Sequence, residues 1–270
     1  MPMKYGYVNL CLADMWGEPR FNSERVSQLL FSEIVEWSPS RDRFAKVADR
    51  TGYEGWVDQN FLTEAPKAKC LQYDKARNAV VTSFNARTYV RIAAQIPTGP
   101  LRIPYGTRLV ATYNKKTGWY RITLPDDSQC MIGGTSVEPL EKFAADPHRG
   151  HLVIQARRLL GVPFLWGGTS AFGFDCSGFV RTVFSFYGFS LPRDTKDQIK
   201  CGKPVERNDM RIGDLAFFDR HVGIIDGNGF LLHCSAGGGM VRVDSIDKRV
   251  TSHAYREDLD KSFKEARRLF

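Results

Sequence analysis

Apolar and polar residues alternate in short runs through the first half of this chain. Gln28-Leu29-Leu30-Phe31-Ser32-Glu33-Ile34-Val35-Glu36-Trp37 reads as strands, closed by Pro39 and a polar turn. Phe44-Ala45-Lys46-Val47-Ala48 reads as another strand, and Thr51-Gly52-Tyr53-Glu54-Gly55-Trp56-Val57 as a turn and a closing strand. The pattern returns at a spacing of roughly 75 residues, too long for a solenoid unit and suited to two small β domains. Residues 105–113 answer to 31–37, 119–123 to 44–48, and 127–132 to 53–57. About five short strands in about 60 residues fit a small barrel.

The second half has a different texture, which sets in around 139–150. Pro147-His148-Arg149-Gly150 reads as a linker end. Residues 151–160 predict a helix with Leu152, Val153, Ala156, Leu159 and Leu160 on one face, stopped by Gly161 and Pro163. Beyond the glycine-rich stretch 166–173, Phe179, Val180, Val183, Phe184 and Tyr187 recur at helical spacing, and Gly188 is a natural stop. Strand signals follow at 213–218. A hairpin follows them, with His221-Val222-Gly223-Ile224-Ile225 and Phe230-Leu231-Leu232-His233 as its arms. Helix first and antiparallel strands after is an α+β layout.

A length of 270 residues suits two or three domains, and 43% hydrophobic with 25% charged residues is ordinary globular usage. No run is long and apolar enough to span a membrane. Residues 1–5 lead straight into a strand-like pattern rather than a secretory signal. The expected compartment is therefore cytoplasmic, or periplasmic or secreted if a signal was removed. Six scattered cysteines without a CxxC pair argue against a disulfide framework or a structural zinc site. The net charge of +8 favours an anionic partner. The Lys and Arg residues are dispersed and no nucleic-acid motif is present, which ranks an anionic small substrate or cell-wall polymer above nucleic acid.

Chemistry enters at Phe174-Asp175-Cys176-Ser177-Gly178, where a single cysteine opens the apolar helix. Unpaired backbone N–H groups and the positive helix end favour the thiolate, which is the nucleophilic form. The alternative is a cysteine that merely packs. A cysteine nucleophile needs a base and a group to orient it. Of the five histidines, His221 and His233 begin and end the hairpin. His221 is thus the expected base and His233 its orienter, provided that both rings point to one sheet face. A two-residue Gly227-Asn228 turn would pair His221 with Cys234 and turn His233 away. The reading therefore requires an odd loop, with Gly229 as a left-handed bulge residue, or an equivalent bulge that sets the two histidines opposite each other.

Pro163-Phe164-Leu165-Trp166-Gly167-Gly168, Asp175-Cys176-Ser177-Gly178-Phe179-Val180, Leu191-Pro192-Arg193-Asp194-Thr195, Gly213-Asp214-Leu215-Ala216-Phe217-Phe218 and His221-Val222-Gly223-Ile224 closely resemble the motifs of NlpC-type cysteine peptidases. These are papain-like bacterial enzymes that cut peptidoglycan peptides. The repeat ahead of them resembles tandem bacterial SH3 domains. Gly52-Tyr53-Glu54-Gly55-Trp56-Val57 matches their closing motif, and Met131 replaces the tryptophan in the second copy. The whole chain resembles the γ-D-glutamyl-L-diamino acid endopeptidases (dipeptidyl-peptidase VI), which release L-Ala-γ-D-Glu from stem peptides with a free N-terminal alanine. The resemblance implies two small SH3-like β-barrels at 1–65 and 66–142, then a papain-like domain at 143–270, a helix packed on an antiparallel sheet.

The resemblance also implies substrate-binding roles. Asp175 and Ser177 would line the pocket, Asp194 would take the substrate ammonium and Thr195 its carboxylate, and Trp166 would form an apolar wall. Glu18 and Tyr53 of the first barrel would cap the pocket and enforce a free amine. Phe164 stands where many members carry tyrosine, so one hydroxyl is lost. Cys234 has no role beyond packing. No cofactor or metal is expected, and the partners are peptidoglycan-derived peptides acted on by a monomer. The rival readings are a related amidase or acyltransferase, a non-catalytic cell-wall binding protein, and a metal site on Cys176, His221 and His233.

Overall fold

The computed structural model describes residues 3–40, 42–84, 86–89, 102–144, 149–250 and 254–270. Pro147 and His148 of the expected linker end lie outside them. The chain divides into two units, Met1–Lys142 and Phe143–Phe270.

The first unit opens with β1 (Lys4–Val8), β2 (Leu12–Trp16), β3 (Arg25–Leu30), β4 (Ile34–Ser38), β5 (Phe44–Ala48), β6 (Glu54–Asp58) and β7 (Leu62–Glu64). After α1 (Lys67–Ala76) come β8 (Ala79–Val81), β9 (Thr88–Tyr89), β10 (Arg108–Asn114), β11 (Trp119–Thr123), β12 (Gln129–Gly133) and β13 (Val137–Pro139). The first sheet has the order β3-β2-β6-β5-β4-β1-β7, and the second β13-β8-β10-β11-β12-β9. Read from β9, the second order is β2-β6-β5-β4-β1-β7 with each strand replaced by its counterpart. The repeat seen as a sequence pattern is thus a repeat of strand order.

Alternation builds both sheets. In β2 and β12 every second residue is buried, as a strand with one solvated face requires. Val8, Met15, Leu29, Val35, Trp37, Val47 and Val57 belong to the first core. Val81, Leu109, Ile122, Ile132 and Val137 belong to the second, which also takes in Phe31 from the first copy. Trp56 and Met131 occupy the same outward-leaning position, opposite Lys46 and Arg121. Exchange of tryptophan for methionine there leaves both cores untouched. Helix α1 has no clear apolar stripe. It docks through Cys70 and Tyr73 alone, so its periodicity is hard to see in the sequence.

A short α2 (Glu141–Ala144) precedes the second unit's α3 (Arg149–Arg157), β14 (Thr169–Ser170), β15 (Gly173–Phe174), α4 (Cys176–Phe186), α5 (Thr195–Gln198) and β16 (Lys203–Val205). Then come β17 (Leu215–Phe218), β18 (His221–Gly227), β19 (Phe230–Ser235), β20 (Met240–Ser245), α6 (Glu257–Ser262) and β21 (Glu265–Arg268). The sheet runs β16-β21-β17-β18-β19-β20, antiparallel throughout. Helix α4 packs on β18 and β19. The expected helix at 151–160 begins earlier and ends at Arg157. Its last turn tightens, with Leu159 and Leu160 donating to the carbonyls three residues back. That rotation buries Leu159 and exposes Leu160, which was expected to be buried. No described helix is long and apolar enough to cross a membrane.

Candidate active site

Helix α4 starts where it does because Asp175 caps it. Asp175 Oδ1 accepts the Gly178 N–H at 2.7 Å. The amphipathic run Phe179, Val180, Val183, Phe184 then carries the helix into the core, and Gly188 at φ 84° ends it. Gly178 is a packing requirement, because a Cβ there would meet the Gly168 carbonyl oxygen at 2.1 Å. The glycine-rich loop therefore lies directly against the first turn. Asp175 Oδ2 accepts the loop's Gly167 N–H at 3.0 Å.

Buried Arg193 completes this junction. It bonds both carboxylate oxygens of Asp175 and reaches the Ser177 hydroxyl at 2.9 Å. Gln198 Nε2 donates to the Ser177 and Pro192 carbonyls at 3.0 and 2.9 Å. Segment 191–198 is thus fastened to the start of α4, and the Thr195 hydroxyl lies 3.9 Å from Cys176 Sγ.

The hairpin is built differently from the expected odd loop. Gly227 pairs with Phe230 across a two-residue Asn228-Gly229 turn whose φ angles are 49° and 78°. The register shifts between Ile225 and Gly227, so the bulge sits in β18 ahead of the turn. The ladder resumes at Ile225↔Leu231 and Ile224↔Leu232. Continued, it sets Gly223 across from His233 and His221 one pleat further along the same face. The two histidines are therefore diagonal neighbours rather than opposed, and His221 Nε2 lies 2.7 Å from His233 Nδ1. Gly223 keeps this diagonal open, since a Cβ there would fall 2.9 Å from His233 Cβ. Toward His221 and Ser235 the two strands are no longer laddered. There the Val222 N–H donates to Cys176 Sγ, as does the Ser177 N–H.

The electrostatics overturn the expected thiolate. Burial pushes the Cys176 thiol above its ordinary value, and the Asp175 charge adds to it. The donors from Val222, Thr195 and Ser177 pull the other way and do not win. Burial pushes His221 down to about 3. Both shifts favour the neutral thiol and imidazole over the ion pair.

Behind His233 stands a residue the sequence reading did not single out. Asp244 is fully buried, with Oδ2 3.2 Å from His233 Nε2. Arg256 Nη1 donates to Oδ2 at 3.0 Å and Arg242 Nε to Oδ1 at 2.8 Å. Burial opposes its ionisation, but the His233 hydrogen bond and the Arg242 charge outweigh that and hold the carboxyl below its ordinary value. The available signal was strand alternation. His233 pairs with Arg242, so Asp244, two residues on, shares their face. Arg193 lies within the motif Leu191-Pro192-Arg193-Asp194-Thr195, and no local pattern marks Gln198.

The other expected residues are placed as follows. Trp166 is 62% exposed. Asp194 precedes α5, with Lys196 Nζ 3.8 Å from its carboxylate. Phe164 is half-buried, and its N–H donates to the Gly239 carbonyl at 2.8 Å. Buried Cys234 donates to the Phe174 carbonyl at 3.0 Å. In the first unit, exposed Glu18 pairs with Arg20 at 2.8 Å. Tyr53 packs against the first core. Among the described residues no cluster of three or more His, Cys, Asp or Glu is arranged to hold a metal ion.

A model of the NlpC/P60 family matches residues 161–259. A Bacillus subtilis protein named gamma-D-glutamyl-L-lysine dipeptidyl-peptidase is 43% identical over 230 residues, 81% of this chain and 70% of its own length. A Bacillus cereus protein of the same name is 30% identical over 195 residues, 67% of this chain and 56% of its own length. The crystal structure of an NlpC/P60 family protein from Bacillus cereus superposes with a TM-score of 0.84 at 22% identity, covering 98% of this chain and 99% of that one, which is a likeness of fold.

Proposed function

This chain belongs to the NlpC/P60 family of cysteine peptidases, and from that premise we propose that it cleaves the γ-D-glutamyl–L-diamino acid bond of peptidoglycan stem peptides with a free N-terminal L-Ala. The product is L-Ala-γ-D-Glu, and the diamino acid is diaminopimelate or lysine. The observation that carries the reading is the His221–His233 bond at 2.7 Å beside a cysteine that opens a capped helix.

In this mechanism Cys176 attacks the γ-glutamyl carbonyl while His221 takes its proton, and His233 orients His221. The Cys176 N–H, at the start of α4, donates to the oxyanion. His221 returns the proton to the departing amine, and water then releases the dipeptide from the thioester. The neutral resting pair makes the proton transfer part of the attack. Thr195, at 3.9 Å from the sulfur, and Asp194 beside it hold the dipeptide's carboxylate and ammonium. Asp175 and Ser177 shape the pocket through the wall they build with Arg193, and Trp166 offers its exposed ring to the substrate.

The shared strand order supports reading residues 1–65 and 66–142 as SH3-like barrels ahead of a papain-like domain at 143–270. The test is a panel of L-Ala-γ-D-Glu-L-Lys peptides with free, acetylated or lactylated alanine. Only the free amine is expected to be cut, and Cys176→Ala is expected to lose at least about 10³-fold in rate. Equal rates across the panel refute the requirement for a free amine, and an active Cys176→Ala refutes the nucleophile.

A further inference from the structure

We propose that Asp244 is a positioning residue that, acting through His233, sets which ring nitrogen of His221 receives the Cys176 proton. The inference rests on the reading of Cys176 and His221 as the reacting pair.

Asp244 lies at 0% exposure between Arg242 and Arg256, whose nearest nitrogens are 2.7 and 3.0 Å from it. A carboxylate so clamped is ionised and can only accept. His233 Nε2, at 3.2 Å, must therefore carry a hydrogen. Arg256 is also held by Asp258, through bonds of 2.8 and 2.7 Å. Two guanidinium groups thus face two carboxylates. A second hydrogen on His233 would leave that set with an unmatched charge beside a buried ring, so we place one hydrogen on it, at Nε2. Its Nδ1 is then a lone pair, facing His221 Nε2 at 2.7 Å. That contact is a hydrogen bond only if His221 Nε2 carries the hydrogen. The free lone pair of His221 is then Nδ1.

The proton step balances without a further group. The Cys176 S–H bond breaks, its electron pair stays on sulfur, and the proton binds His221 Nδ1. The imidazolium keeps donating from Nε2 to His233. Asp244 takes no proton. It stabilises the charge across His233 and excludes the opposite tautomer of both rings. The buried carboxylate, eleven residues beyond His233, thereby acquires a role in the geometry of the base.

Imidazole ¹⁵N NMR of the full chain tests this without substrate, because protonated and lone-pair nitrogens have distinct shifts. In the wild type both rings are expected to carry hydrogen on Nε2 and a lone pair on Nδ1. In Asp244→Asn the amide can donate to His233 Nε2, which reverses both tautomers. The expected cost is about 10²- to 10⁴-fold in kcat with KM little changed, the scale seen when a carboxylate behind a catalytic imidazole is amidated. Asp244→Glu is expected to restore the wild-type tautomers and part of the rate. A hydrogen on His221 Nδ1 in the wild type, or Asp244→Asn with unchanged tautomers and kcat, overturns the proposal. The wild-type spectrum decides even if the variant does not fold. An active Cys176→Ala would remove the reading of the reacting pair yet leave the tautomer assignment to be judged on the spectrum alone.

Discussion

The two halves of the molecule differ in what their buried charges hold together; in the first unit the buried Asp58 carboxylate pairs with an exposed arginine, Arg43. The cores of the first unit's two sheets are apolar, and ion pairs such as Lys46–Glu54 and Lys4–Glu64 lie at the surface. In the second unit charged groups run through the interior. Arg193 and Asp175 join the loop to the helix, and Asp244 lies buried behind His233 between two arginines. Exposed pairs contribute at most about 1 kcal/mol, whereas removing one partner of a buried pair leaves a charge that neither water nor protein solvates. The first arrangement tolerates drift between copies, as Trp56 and Met131 illustrate. The second fixes atoms to within hydrogen-bond distances around a thiol.

The sharpest way to break this contrast is Arg193→Met. Asp175 would be left buried with no cation, at a cost of about 3–5 kcal/mol, and segment 191–198 would lose its hold on α4. Urea denaturation of the full chain should show the loss, together with abolished peptide hydrolysis. A stable, active variant would mean that the interior pair is no more consequential than a surface one.

An intermediate effect is expected from pH. In the unfolded chain His221 takes up its proton near the ordinary 6.5, in the folded protein only at about 3. The unfolded state therefore binds more protons between those values, so stability is full above the upper value and falls as pH is lowered through the window. Each kcal/mol lost lowers the thermal midpoint by about 2–4 °C for a chain of this size. The midpoint of wild type should drop between pH 7 and 5, and that of His221→Asn should drop less. Parallel curves would remove the depressed imidazole. The raised thiol has a separate signature. Alkylation of Cys176 should climb steadily with pH past neutrality, and a plateau at low pH would instead reveal a thiolate–imidazolium pair.

The smallest effect is expected from Met131→Trp in the second sheet. The side chain leans outward opposite Arg121, so stability should change by no more than about 0.5 kcal/mol in denaturation. A large change would show that the two copies do not share their packing.

Much of this was visible along the chain because it is written in local periodicity. The alternating strands at 31–57 and 105–132 show the repeat, and the stripe at Phe179, Val180, Val183 and Phe184 shows the cysteine-bearing helix. The hairpin's two histidines could be named, but their mutual position could not. That position depended on a bulge between Ile225 and Gly227 and on the empty side of Gly223. Helix α1 escaped notice because two buried residues make no stripe, and Leu160 was misplaced because the helix tightens before reaching it. Arg193 and Asp244 look like ordinary surface charges until the fold closes over them.

Local pattern alone carried the strands of the two repeats, the arms of the hairpin, and one cysteine at the mouth of an apolar helix with two histidines downstream. Those follow from side-chain size, polarity and backbone preference, which act over a few residues. The diagonal register of His221 and His233, the arrival of Asp244 behind them, and the upward push on the Cys176 thiol came from the folded chain. Each depends on which distant segments meet and on how much water they exclude. Exclusion of water reversed the expectation at the cysteine, because the loss of hydration there outweighs the helix-end donors that favour a thiolate.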